Sequence, residues 1–127
     1  MAISFSISGI YTLTPIEMQE VRKEVFALLV TGEECVMTFQ TARDQVIFTN
    51  KRIIAADVQG LAGKRKSYAS LPYGKVQFFS VQTAGMIGLT TDSELTLSFS
   101  NGVDATFRIN GNTDIGALAR MIAEYIL

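Results

Sequence analysis

Residues 43–85 read RDQVIFTNKRIIAADVQGLAGKRKSYASLPYGKVQFFSVQTAG. Four short runs stand out: Gln45–Thr49, Arg52–Val58, Lys66–Leu71 and Val76–Gln82. Each has strand length and is bounded by residues that turn a chain. Thr49-Asn50-Lys51 joins the first two, with an Asn that tolerates a tight turn. Gly60 and Gly63 allow positive φ in a hairpin whose tip is Gly63-Lys64-Arg65-Lys66. Pro72 closes the third run, where a residue without an N–H does least harm to a sheet. Short strands at regular spacing predict a sandwich or barrel and not a parallel sheet.

Outward from this stretch, Cys35, Met37 and Phe39 alternate with Glu34, Val36, Thr38 and Gln40 and predict a strand. On the other side, Leu95, Leu97 and Phe99 alternate with Thr96 and Ser98 over 94–99. Asn101-Gly102 is a strong hairpin signal and leads into a strand over 105–109. The total is seven strands. A closing helix over 113–127 follows, capped by Asn112 or Thr113, with Asp114 at the positive end of its dipole. Ile115, Leu118, Met121, Ile122, Tyr125 and Ile126 form its buried face.

Before the strands, Thr14 and Glu17 have the spacing of a capping box, and Pro15 suits a first helical position. Ile16, Met18, Val21, Val25, Leu28 and Leu29 recur at three- and four-residue steps, and Gly32 reads as a stop. The pattern predicts a packing helix over 14–31. In the first thirteen residues Ile3, Phe5 and Ile7 alternate with Ser4, Ser6 and Ser8. This arm, 1–13, is read either as a loosely docked terminus or as a strand that pairs with a sheet edge, its own or a neighbour's.

The signature formed by Arg43-Asp44, Ile47-Phe48-Thr49-Asn50-Lys51-Arg52, Asp57, Gln59-Gly60-Leu61, Gly63-Lys64, Leu71-Pro72-Tyr73, Phe79-Ser80-Val81 and Thr83-Ala84-Gly85 closely resembles the bacterial pleckstrin-homology-like family. The resemblance covers most of the chain after Thr14. It implies a fold that is mainly β with α: a pleckstrin-homology-like, seven-stranded, bent antiparallel barrel with a C-terminal capping helix and an extra N-terminal helix. The expected organisation is one domain over 1–127, with the arm at 1–13, the N-terminal helix at 14–31, barrel strands within 33–109 and the C-terminal helix at 113–127. The resemblance also implies ring-shaped homo-oligomers, often pentamers.

Composition agrees with a globular chain: 127 residues, 48% hydrophobic and 18% charged. That is long enough for one core without metal or disulfide help, and the low charge suggests apolar surface for a partner. No apolar run approaches the roughly 20 residues that span a bilayer, so an integral membrane protein is not expected. The start lacks the pattern of a signal peptide. Cys35 is the only cysteine, and a reducing cytoplasm is the expected setting. Net charge is −1, yet residues 43–75 hold seven bases (Arg43, Lys51, Arg52, Lys64, Arg65, Lys66, Lys75) and two acids (Asp44, Asp57). Such segregation lets one subunit's basic side meet a neighbour's acidic side in a head-to-tail contact.

The inventory for catalysis is poor. With no histidine, Ser-His-Asp and Cys-His relays and histidine metal ligation are excluded. A lone cysteine makes no zinc site; Cys35 reads as a small apolar strand residue. Glu33 and Glu34 read as two solvated acids beside a helix end, since neighbours on a strand point to opposite faces. No enzyme and no cofactor is expected. Gly60-Leu61-Ala62-Gly63-Lys64 is too short for a phosphate-binding loop and lacks its hydroxyl and following helix.

The candidate interaction residues are therefore surfaces. Lys64, Arg65 and Lys66 form a basic patch suited to a lipid head group or other polyanion, or to a solvated hairpin tip. The loop that carries the phosphoinositide motif in eukaryotic relatives holds only Thr41-Ala42-Arg43-Asp44 here, which argues against phosphoinositide recognition. Nucleic acid is not expected of a chain with pI ≈ 5.4 and no tryptophan. Met86, Ile87 and Leu89 sit in a glycine-punctuated loop and read either as a sticky patch or as a loop folded over the core. Ile3, Phe5 and Ile7 complete the set. Three classes follow: a self-assembling interaction module, a binder of anionic lipid or peptide, and an enzyme, with the first favoured and the last least supported.

Overall fold

Val46, Ile47, Phe48, Ile53, Ile54, Ala55 and Ala56 are all buried. A strand with one wet face alternates apolar and polar residues, whereas these two consecutive runs lose both faces to packing. The computed structural model describes residues 8–42, 44–57, 67–82, 93–99, 101–110 and 114–126, and it shows what covers each face.

Eight strands form one sheet: β1 (Gly9–Pro15), β2 (Cys35–Gln40), β3 (Asp44–Thr49), β4 (Arg52–Asp57), β5 (Ser67–Pro72), β6 (Val76–Gln82), β7 (Ser93–Phe99) and β8 (Asp104–Ile109). Their spatial order is β5-β4-β3-β2-β1-β8-β7-β6. β5 and β6 are thus consecutive in sequence and lie at opposite ends of the sheet, joined by a 3₁₀ turn at Tyr73–Lys75. Curling the sheet brings these ends round to a half-barrel. Helix α2 (Ile115–Ile126) packs on β6, β7 and that turn. Its Ile115, Leu118 and Ile122 enter the inner core with Phe39, Phe48, Tyr73, Leu97 and Phe107. The Asp114 carboxylate accepts the Ala117 N–H at 3.0 Å and caps the helix. No helix among the described residues is long and apolar enough to cross a membrane.

The outer face of β3 and β4 lies under residues 16–34, which cross it as a strap. Val21 and Val25 of the strap pack on Ile47, Ile54 and Ala56, and burying such side chains is worth on the order of 2 kcal/mol each. The strap is helical only in a 3₁₀ turn at Met18–Glu20 and in α1 (Lys23–Ala27). The reading of 14–31 as one helix is corrected: an N-terminal helix is present but five residues long. Side chains of the sheet take over the hydrogen bonds that a continuous helix would make. Gln45 accepts the Arg22 N–H at 2.9 Å and donates to the Glu20 carbonyl at 2.8 Å. Arg52 Nη2 donates to the Leu28 carbonyl at 2.6 Å. The capping box exists, shifted three residues, between Glu17 and Glu20.

Thr14 and Pro15 end β1 and open no helix. β1 pairs in parallel with β8 from Gly9↔Ala105 to Leu13↔Ile109, and antiparallel with β2 at Thr14↔Gln40 and Pro15↔Phe39. Eight strands thus replace the expected seven, one pairing is parallel, and residues 9–13 of the expected arm belong to the chain's own sheet. The alternation of Ile3, Phe5 and Ile7 lies outside the described residues. The remaining strands fall within about two residues of expectation. The Asn101-Gly102 hairpin forms, with Gly102 at φ +84 and its N–H donated to the Phe99 carbonyl at 3.1 Å.

Candidate functional site

The nine interaction candidates, Lys64, Arg65, Lys66, Met86, Ile87, Leu89, Ile3, Phe5 and Ile7, lie outside the described residues. Three other features carry the polar chemistry and the open surface.

The first is a clamp at the β3–β4 hairpin. Thr49, Asn50, Lys51 and Arg52 make the turn, and all but the exposed Lys51 side chain reach across to residues 28–34. The Glu33 carboxylate receives Arg52 Nε at 2.9 Å and Nη2 at 3.0 Å, a two-pronged ion pair. It also accepts the Thr49 hydroxyl at 2.6 Å and the Val30 N–H at 3.1 Å. Arg52 uses Nη1 on Ser70 at 3.0 Å. Asn50 accepts from Glu34 N at 2.9 Å and donates to the carbonyl of Gly32, whose φ is +80. Tyr73 donates its hydroxyl to the Thr49 carbonyl at 2.7 Å.

Glu33 is 7% exposed, so its reading as a solvated acid is corrected; Glu34 is the exposed neighbour. Burial by itself would raise the Glu33 carboxyl. The hydrogen bonds from Arg52, Thr49 and Val30, with the Arg52 charge, outweigh that and hold it at about 2. Burial, followed by the nearby Glu33 charge, pushes the Tyr73 phenol up. The same two causes raise the half-buried Cys35 thiol, opposite to what a nucleophile needs. These groups stay in one charge state near neutrality, and Glu33 ties the strap to the sheet through Val30, Thr49 and Arg52. Thr49, Asn50 and Arg52 of the signature thus have structural work, and the backbone N–H of Asp44 donates to the Thr41 hydroxyl at 2.9 Å in the β2–β3 turn.

The second feature is the pair of sheet edges. Among the described residues β5 bonds only β4, and β6 bonds only β7. Neither strand carries a charged residue. Phe78 on β6 is 60% exposed, and Val81 is also exposed.

The third is a seam beside β2. β1 leaves the sheet at Ile16, whose N–H reaches the Thr38 carbonyl at 3.1 Å and whose carbonyl accepts the Thr38 hydroxyl at 2.8 Å. Beyond Thr38, no described strand flanks Cys35–Met37 on the β1 side. A shallow groove of about 290 Å³ opens there, lined by Pro15, Ile16, Val36, Met37, Thr38, Phe39 and Asp114. Sequence patterning locates β2 but not the seam, because its exposure depends on where β1 turns away.

The comparisons with known proteins agree with this architecture. The family model described as "Bacterial PH domain" matches residues 4–126. Two Bacillus subtilis proteins are similar in sequence: "Uncharacterized protein YjqA" is 41% identical over 80 residues, 63% of this chain, and "Uncharacterized protein YozO" is 42% identical over 64 residues, 50% of this chain. The matched regions span 62% and 55% of those relatives' own lengths. A crystal structure of a DUF1696-family protein with a pleckstrin-homology domain from Shewanella loihica PV-4 superposes with a TM-score of 0.71 at 30% identity. It covers 92% of this chain and 99% of that one. The pleckstrin homology domain from Shewanella amazonensis SB2B gives 0.59 at 33% identity, over 88% of this chain and 90% of that one. A PH-domain-containing bacterial protein from Exiguobacterium sibiricum 255-15 shares the fold at 15% identity, with a TM-score of 0.65 over 91% of this chain and 62% of that one. Sheet order, capping helix, signature clamp and sequence match thus converge, and the chain belongs to the bacterial PH domain family.

Proposed function

We propose that this chain is a non-catalytic interaction module that assembles with copies of itself into a ring-like homo-oligomer, a pentamer in the first instance. The β6 edge carries the reading. Sheets ordinarily guard an edge with lysine, an inward charge or a covering element, because unpaired N–H and C=O groups recruit another chain. β6 has none of the charged guards and presents Phe78 to water. Exposed Phe26, Leu28 and Val30 on the strap add apolar surface, and the segregated charge favours contact between unlike patches. The cytoplasm is the compartment this reading expects.

Sedimentation equilibrium or native mass measurement of the full chain tests it. A closed oligomer at micromolar concentration is expected, and a strict monomer overturns the reading. Glutamate at Lys64, Arg65 and Lys66 should weaken assembly where charge segregation drives it.

A second reading is a binding module for a peptide or an anionic lipid. The unpaired edges of β5 and β6 favour the peptide form, since an extended ligand gains main-chain hydrogen bonds on such an edge. Co-sedimentation with anionic and neutral vesicles separates the lipid form; binding that requires anionic lipid would move the assignment to the basic hairpin.

A further inference from the structure

We propose that the seam beside β2 receives residues 2–7 of a second copy of this chain as an added strand. The inference rests on the self-assembly reading and names one contact of that assembly, which acts beside the β6 edge. The acceptor is the stretch Cys35–Met37, whose β1 side is left open when β1 departs at Ile16. An incoming strand there finds main-chain partners on β2. It also finds an apolar trough of Pro15, Ile16, Val36, Met37 and Phe39, with Asp114 as the one charged lining residue. Val36 is 44% exposed.

The donor follows from where the described chain begins. Residues 2–7 read AISFSI: uncharged, with Ile3, Phe5 and Ile7 at period two. A strand of that pattern buries one face and leaves serines on the other. That suits a trough on one side and water on the other.

The donor must come from another copy. Ser8 lies at the start of β8, its hydroxyl accepting the Asp104 N–H at 3.0 Å, whereas the groove lies at the Pro15 end of β1. At about 3.3 Å per residue these ends are roughly 20 Å apart. The six residues 2–7, fully extended, reach at most about 22 Å, so once they reverse direction they have almost nothing left to lay in their own seam. A neighbour's arm has no such restriction. Donor and acceptor are then different surfaces at opposite ends of one strand. Each copy gives an arm and takes one, a head-to-tail contact of the kind that closes rings.

The test uses the full chain, a chain lacking residues 2–7, and Val36→Glu, which places a second carboxylate in the groove beside Asp114. All are checked for fold by circular dichroism and followed by sedimentation equilibrium. Both variants should associate at least tenfold more weakly than the full chain. Mixed together, they should pair and recover association that neither shows alone, because one retains only the seam and the other only the arm. If the truncated chain does not fold, Phe5→Asp takes its place in the same comparisons. A full chain that is monomeric overturns self-assembly itself. An oligomeric full chain whose mass survives removal of the arm overturns this inference and leaves self-assembly standing. Loss on truncation without loss in Val36→Glu, or no pair on mixing, places the arm elsewhere and overturns the seam as its acceptor.

Discussion

Every residue of β3 is buried, and β4 is sealed between Ile53 and Ala56, whereas β6, at the far end of the same sheet, leaves Phe78 mostly in water. Both regions share one curled sheet and one core. They differ in what lies outside. Over β3 and β4 runs the strap, held by side chains from the sheet beneath it. Beyond β6 no described strand or helix supplies a further row of hydrogen bonds. The signature residues Thr49, Asn50 and Arg52 lie in the closed region, where their hydrogen-bonding capacity is used internally. The open region is nearly free of charge and has edge to spare. The same signature therefore serves two ends: Thr49, Asn50 and Arg52 hold the closed region together, while Phe79, Ser80 and Val81 lie on the open edge strand.

The comparison breaks most sharply at Arg52. Arg52→Ala leaves Glu33 buried without its partner, a class of change that costs about 3–5 kcal/mol. Urea unfolding should show that loss, with the strap amides of 20–30 exchanging fastest. Acid is the next largest lever. The Glu33 carboxyl sits at about 2 in the folded chain against an ordinary 4.5. The stabilisation it gives is complete above about 4.5 and drains away as pH falls toward 2. Arg52 is 21% exposed, so solvent screening discounts the full shift to about 2 kcal/mol. Denaturant melts at pH 5 and pH 2.5 measure it, and Glu33→Gln should flatten the difference. Gln45→Ala removes both bonds that bridge the 3₁₀ turn to α1 and should cost about 1–2 kcal/mol. Its exchange signature should be confined to residues 16–27. Phe78→Lys is the counter-case: it guards the open edge at under about 0.5 kcal/mol in stability. It should lower the sedimenting mass while the melting temperature holds. If Phe78→Lys destabilises as much as Gln45→Ala, the open and closed regions are not distinct.

Most of the sheet was legible locally. Turn chemistry at Asn50-Lys51, Pro72 and Asn101-Gly102 bounded strands that the fold reproduces, and spacing alone found Ile115, Leu118 and Ile122 on the buried face of α2, though Tyr125, expected there too, is exposed. What failed depended on partners far along the chain. Thr14, Pro15 and Glu17 imitate a helix start, and only the pairing of β1 with β8 and β2 makes Thr14 and Pro15 a strand end. The apolar spacing of 16–29 is helical, yet Gln45 and Arg52 interrupt its hydrogen bonding. Nothing in the pair Glu33-Glu34 says which acid turns inward until Arg52 and Thr49 arrive beneath it. Phe78 reads as one more strand residue, because edge position is a property of topology and not of sequence neighbours.

β1 has a consequence for synthesis. It leaves the ribosome ahead of β2 to β8, and its parallel partner, β8, lies 96 residues further along at the Ser8–Asp104 contact. Until β8 emerges, β1 has little beyond two pairs with β2 to hold it, and Ile10, 63% exposed even in the finished fold, stands on a bare strand. A pairing of such long sequence separation closes slowly. During that wait the nascent chain exposes a ready template for neighbouring copies, so arrested or truncated translation products should aggregate through this segment.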